Sequence, residues 1–92
     1  MYEWNEAKNR ANISKHGLSF EDANIVFSGP CVTFEDTRHD YDEKRFITLG
    51  PLAGRVVVIA HTSRDENTRV ISMRKANIRE QEIYYQKRLE TD

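Results

Sequence analysis

Three residues late in the chain, His61, Ser72 and Arg74, have types that can do chemistry, and they fall within two runs of strand-like sequence. If the two runs pair across an even-length hairpin loop that sets Arg64 opposite Arg69, His61, Ser72 and Arg74 share one face and Ile71 and Met73 the other. A one-residue slip would exchange the faces. An imidazole titrates near neutrality and can move protons. A guanidinium stays charged and binds phosphate as a fork. The pattern gives a cationic site and not an activity, but these are groups that a metal-free cleavage of RNA would use, since RNA carries its own nucleophile in its 2′-OH. That reaction asks for a base, an acid for the leaving 5′-oxygen, and cations for the charge of the transition state. The groups on offer are His16, His61, Arg45, Arg64, Arg69, Arg74, Lys15 and Lys75. Ser72 is an orienting partner rather than a nucleophile, because nothing in the pattern gives it a base and a third group.

Each has a plainer explanation. Lys15 and His16 close a helix, where positive charge suits the dipole. His61 can be an ordinary strand residue. Arg64 and Arg69 flank a turn beside Asp65 and Glu66, and such surface pairs add little stability. Arg74 lies inside a strand near core residues, so its plain alternative is a structural ion pair. Glu35, Asp36, Asp40, Asp42 and Glu43 read as a solvated loop, with Glu43 a base only if the strand ends converge.

The elements that would position these groups follow from pattern. Tyr2-Glu3-Trp4 is a short opening strand. Asn5 caps a helix over residues 6–16, with Trp4, Ala7 and Ala11 in register and Gly17 ending it. Ser19 caps a second helix, which places Phe20, Ala23 and Phe27 on one face and stops at Gly29-Pro30. Strands follow at residues 31–37 and 45–49. A polar turn at residues 39–42 separates them, and Gly50-Pro51 and Gly54 bracket the next turn. Val56 to Ala60 is apolar at consecutive positions, which predicts a central strand covered on both faces. A hairpin turn at residues 65–68 leads to the last strand, residues 69–76. Asn77 with Glu80 makes a capping box for a final helix whose apolar stripe is Ile78, Tyr85 and Leu89. The fold class is α+β: two N-terminal helices, an antiparallel sheet of about four strands, and a C-terminal helix.

The chain has 92 residues, the length of one domain spanning 1–92. Its single cysteine, Cys31, makes no internal disulfide, and the histidines lack zinc spacing. No apolar run approaches a membrane span and no targeting pattern opens the chain, so a cytoplasmic protein is expected. Net charge is −1. Residues 1–54 carry six Lys/Arg against nine Asp/Glu, and residues 55–92 eight against six. A mildly basic C-terminal half allows a local anion site without making the whole chain a polyanion binder.

Taken in order, several segments resemble the BrnT family of type II toxins. They are Tyr2-Glu3-Trp4-Asn5-Glu6-Ala7-Lys8; Asn12-Ile13-Ser14-Lys15-His16-Gly17-Leu18-Ser19-Phe20; Ala23 with Val26-Phe27; Arg45 with Gly50; Val56 to Ile59 with Arg64; Arg69-Val70-Ile71-Ser72-Met73-Arg74-Lys75-Ala76; and Glu80 with Tyr84 or Tyr85. Met73 departs from the alanine usual in that family. The resemblance implies a RelE-like fold and a ribonuclease that blocks translation, without a metal or organic cofactor. It also implies neutralisation by a BrnA-type ribbon-helix-helix antitoxin in a heterotetramer that meets operator DNA only through the antitoxin. Under that reading His16, Arg45, His61, Arg64 and Arg74 are catalytic, and Lys15, Arg69, Ser72 and Lys75 bind RNA. The alternative is a degenerate, non-catalytic toxin serving as corepressor with its partner.

Overall fold

The computed structural model describes residues 1–38, 40 and 42–91. Among these, three α-helices and a short 3-10 turn surround a five-stranded mixed sheet. β1 is Tyr2–Glu3, α1 Glu6–His16, α2 Ala23–Ser28, β2 Val32–Glu35, β3 Arg45–Leu52, β4 Arg55–Arg64, β5 Asn67–Lys75 and α3 Ile78–Thr91. The strand order is β1-β5-β4-β3-β2. The strand beyond the expected sheet of about four is the short opening strand, which joins the sheet beside β5. The sheet is not wholly antiparallel, because β1 runs parallel to β5 while the other pairs are antiparallel. The polar turn expected at residues 39–42 includes His39 and Tyr41, which lie outside the described residues.

The helix boundaries follow local chemistry. The Asn5 side chain accepts from the Lys8 amide at 3.1 Å, and Gly17 ends α1 at φ 70°, a left-handed conformation that glycine adopts without penalty. The second helix is shorter than its apolar pattern suggested: Phe20–Asp22 forms a 3-10 turn after the Ser19 cap before α2 begins. Asn77 and Glu80 form the reciprocal capping box, with 2.8 and 2.9 Å bonds.

The alanine stripe of α1 is not its buried face. Asn9 and Asn12 are buried instead. The reason is the uncovered edge of β5. The Asn12 side chain accepts from the Met73 amide and donates to the Met73 carbonyl, so an amide side chain supplies the partner that a neighbouring strand would have given. Asn12 also donates to the Leu18 carbonyl, and Asn9 accepts from the Phe20 amide.

Gly50-Pro51 lies inside β3 rather than in a turn. β2 pairs only as far as Leu49, so Pro51 owes no hydrogen bond on that side. The turn itself is Ala53-Gly54, both at positive φ as a two-residue hairpin of type I′ requires. A Cβ on Gly50 would sit 2.8 Å from Val26 Cγ1, so α2 closes onto the strand only because this residue has none.

Both sheet faces carry a core, as the consecutive valines of β4 predicted. Val57, Ile59, Val70 and Met73 meet Leu18, Phe20, Ala23 and Val26 under α1 and α2. On the opposite face Ile47, Leu49, Val56 and Val58 meet Ala76 and Tyr84. The expected stripe of α3 is reversed: Ile78, Tyr85 and Leu89 are exposed, while Tyr84 is buried. Two anchors fix this rotation, Glu80 on Arg74 and the Tyr84 hydroxyl on the Pro30 carbonyl at 2.5 Å.

Candidate functional site

The β4–β5 register decides which side chains meet. The hairpin turn is Asp65-Glu66, with Arg64 opposite Asn67, not Arg69. Farther along, Ala60 faces Ser72 but His61 faces Val70, so a bulge at Ile71 inserts one extra residue into β5. Ser72 and Arg74 consequently align with Ala60 and Val58, on the face that α3 covers. His61 aligns with Ile59 on the other face. The expectation that His61, Ser72 and Arg74 share a face is thereby corrected.

His61 is only 8% exposed. Its ring lies edge-on to Phe27 at 4.9 Å and stacked with Phe46 at 5.9 Å, and Nε2 is 2.7 Å from the Thr48 hydroxyl. Thr48 in turn bonds Thr33 at 2.7 Å. Burial pushes the imidazole down to about 4, so it is neutral around pH 7.

The arginines are arranged differently. Arg45 stands opposite Thr62, which stands opposite Arg69, in one row across the sheet beyond the apolar cluster under α3. Alternation from Thr62 puts Arg64 on the same face. Between β2 and α3 a cavity of about 320 Å³ is lined by Arg38, Arg74 and Glu80 over Phe34, Ile47, Val58 and Ile83. Through residues 35–38 it adjoins a second cavity of about 490 Å³, which Arg38 and Arg45 both line. Asp40, Asp42, Glu43 and Arg45 also line a third, of about 580 Å³, together with Arg64. Arg38 lines the first two cavities and Arg45 the last two, so this adjoining series, the groove, carries Arg74, Arg38, Arg45 and Arg64 among the carboxylates of Glu35, Asp36, Asp40, Asp42, Glu43 and Glu80.

Arg74 is held within the groove by Glu80: Nη1 and Nη2 each donate to one carboxylate oxygen at 2.7 Å. This pair keeps the guanidinium firmly charged and the Glu80 carboxyl below its usual range, and the Arg38 charge acts on both. A guanidinium has five N–H donors. Two go to Glu80 and one, from Nη1, reaches the Lys75 carbonyl at 3.4 Å. The edge formed by Nε and the second Nη2 hydrogen has no protein partner among the described residues.

Arg38 is a groove residue that sequence reasoning missed, and its loop position gave no periodic signal. It forms a fork onto Asp36 at 2.9 and 3.0 Å. Asp36 is thus not part of a solvated loop; it is 8% exposed.

The remaining candidates lie elsewhere. Lys15, His16 and Ser72 line a separate cleft of about 300 Å³ between α1 and β5, with Lys8 and Ile71. Arg69 lies 3.9 Å from Glu3 of β1. Lys75 stands opposite Val57 near the end of β5 and is exposed. Among the described residues, no three His, Cys, Asp or Glu side chains are grouped to hold a metal ion, and no helix is long and apolar enough to cross a membrane.

The family model for the ribonuclease toxin BrnT of type II toxin–antitoxin systems matches residues 4–80. The chain belongs to the BrnT family. The match runs from Trp4 to Glu80 and so takes in every arginine of the groove. Membership makes this a ribonuclease toxin by family and implies an antitoxin partner. No curated relative matches the chain. The BrnT match ends at Glu80, the residue that holds Arg74, so most of α3 lies beyond it.

Proposed function

We propose that residues 1–92 form a RelE-like endoribonuclease domain that cleaves RNA without a metal ion and thereby inhibits translation. The observation that carries this reading is the series of adjoining cavities lined by Arg74, Arg38, Arg45 and Arg64 in a chain of a ribonuclease toxin family. In this reading Arg45 and Arg64 hold the scissile phosphate, and Arg74 meets the strand through its open edge. Glu43, which lines two of the three cavities with Arg45, takes the proton of the 2′-OH. The 2′-oxygen attacks phosphorus, the arginines stabilise the added charge, and the leaving 5′-oxygen takes a proton from groove water. His61 has a packing role, because its neutral ring lies in the core of the other face. Lys15, His16 and Ser72 contact RNA away from the cleaved bond, in the cleft between α1 and β5, with Arg69 and Lys75 adding charge along β5.

The partner in this reading is a BrnA-type ribbon-helix-helix antitoxin, in a heterotetramer that reaches operator DNA through the antitoxin. The setting is the cytoplasm. Incubating labelled RNA with the purified protein in EDTA, with and without ribosomes, tests the activity: cleavage products support it.

One observation favours a second reading. The only histidine buried against the sheet among the described residues is walled off by Phe27 and Phe46, and Arg74 spends two donors on Glu80. A degenerate toxin that acts only as corepressor would tolerate both. RNA binding or antitoxin binding without cleavage products separates it from the enzyme.

A further inference from the structure

The cavity between β2 and α3 has a feature that the phosphate chemistry does not use. Its lining is mainly apolar, and Arg38 and Arg74 share it with the carboxylates of Glu35, Asp36 and Glu80. Phe34 pairs with Ile47 on this face and remains 42% exposed, an aromatic ring fixed in a strand and offered to solvent. A lone exposed phenylalanine needs no explanation. One that lines a cavity with a guanidinium whose second fork is open does. Apolar side chains of a protein partner would also fit the lining, but the open Nε–Nη2 donor edge of Arg74 favours an occupant that brings an acceptor such as phosphate together with a flat face. An unpaired nucleotide of RNA has those properties: its base stacks on an aromatic face and its phosphate accepts from arginine.

We infer that this cavity is a nucleotide subsite in which one unpaired base stacks on Phe34 and its phosphate sits on the Nε–Nη2 edge of Arg74, beside Arg38. The inference rests on the ribonuclease reading and adds to it how the strand is gripped. Glu80 then has a positioning role: by holding the outer pair of Arg74 donors, it turns the second fork toward the groove. Because a base inside a duplex cannot reach Phe34, the subsite selects single-stranded RNA.

The test is fluorescence anisotropy with a short single strand of 2′-deoxy residues, which lacks the nucleophile and cannot be cleaved. A set of the same strand with one base removed at a time is measured alongside. Phe34→Ala is expected to weaken binding of the intact strand by roughly 5- to 100-fold, and Phe34→Tyr by no more than about two-fold. At one position of the abasic set, wild type and Phe34→Ala are expected to bind equally well. That coincidence identifies the base that stacks, which a merely structural effect of the substitution would not produce. Equal affinity of wild type and Phe34→Ala for the intact strand would overturn the subsite. So would a loss that is the same at every abasic position, as would tighter binding of duplex. If wild type cleaves RNA while any of these holds, only the subsite falls. If wild type neither binds nor cleaves RNA, the ribonuclease reading falls and takes the subsite with it.

Discussion

Glu80 joins the start of α3 to the arginine-bearing face of the sheet: one carboxylate oxygen accepts from both the Asn77 amide and Arg74 Nη1, and the other accepts from Arg74 Nη2. A helix cap and an arginine clamp are therefore the same side chain. Glu80→Ala removes both and is expected to destabilise the protein by about 1–2 kcal/mol, read by urea denaturation. Glu80→Gln keeps the cap oxygen and should lose less. Arg74 holds the Glu80 carboxyl below its usual 4.5, so this contribution is present above that pH and is lost as pH falls through the lower folded value.

The opposite face carries a second pH dependence. Unfolded, His61 takes a proton near 6.5; folded, burial lowers that to about 4. Between those values the unfolded state binds more protons, so stability is full above pH 6.5 and falls as pH drops toward 4. Denaturation midpoints at pH 7.5 and pH 5 should differ in wild type, and the difference should shrink in His61→Leu.

Asn12 stands in for a missing strand. Asn12→Ala would leave the Met73 amide and carbonyl without that partner beneath α1, where Asn12 is 8% exposed. A loss of about 2–4 kcal/mol is expected, and earlier hydrogen exchange at the Met73 amide should accompany it. Asn12→Asp keeps the acceptor but sets a buried carboxylate oxygen against the Leu18 and Met73 carbonyls, and should cost at least as much as Asn12→Ala.

Gly50 sets the distance between α2 and the sheet. The added Cβ of Gly50→Ala would meet Val26 Cγ1 at 2.8 Å and Cys31 Cβ at 3.0 Å, at a cost of about 1–3 kcal/mol. If this clash is the cause, Gly50→Ala should cost less when Val26→Ala is already present. A double-mutant cycle by urea denaturation measures the difference.

What could be read from the sequence was local. Asn5, Gly17, Ser19 and the Asn77–Glu80 box announce helix ends because a cap satisfies backbone groups within a few residues. The run from Val56 to Ala60 announces a central strand because both its faces need cover. The bulge at Ile71 carries no such mark, since an extra residue in β5 is set by how β4 and the turn at Asp65-Glu66 fit together. That one residue moved His61 to the face opposite Arg74. The rotation of α3 was equally hidden: its apolar stripe, Ile78 to Leu89, was outweighed by the bonds of Glu80 and Tyr84 to distant partners. Of the candidate site, the arginines of β3, β4 and β5 were legible and Arg38, held by a loop, was not.

The central claim is that the groove arginines, and not the buried histidine, carry RNA cleavage. Arg64 tests it best, because it is exposed at the end of β4 and its loss leaves the core untouched. The measurement is the rate of cleavage of labelled RNA in EDTA by wild type, Arg64→Ala and His61→Leu, each shown to be folded. Cleavage by wild type, a loss of about 100-fold or more in Arg64→Ala, and retained activity in His61→Leu are the predicted results. Unchanged cleavage by Arg64→Ala, or abolished cleavage by a folded His61→Leu, would contradict the account.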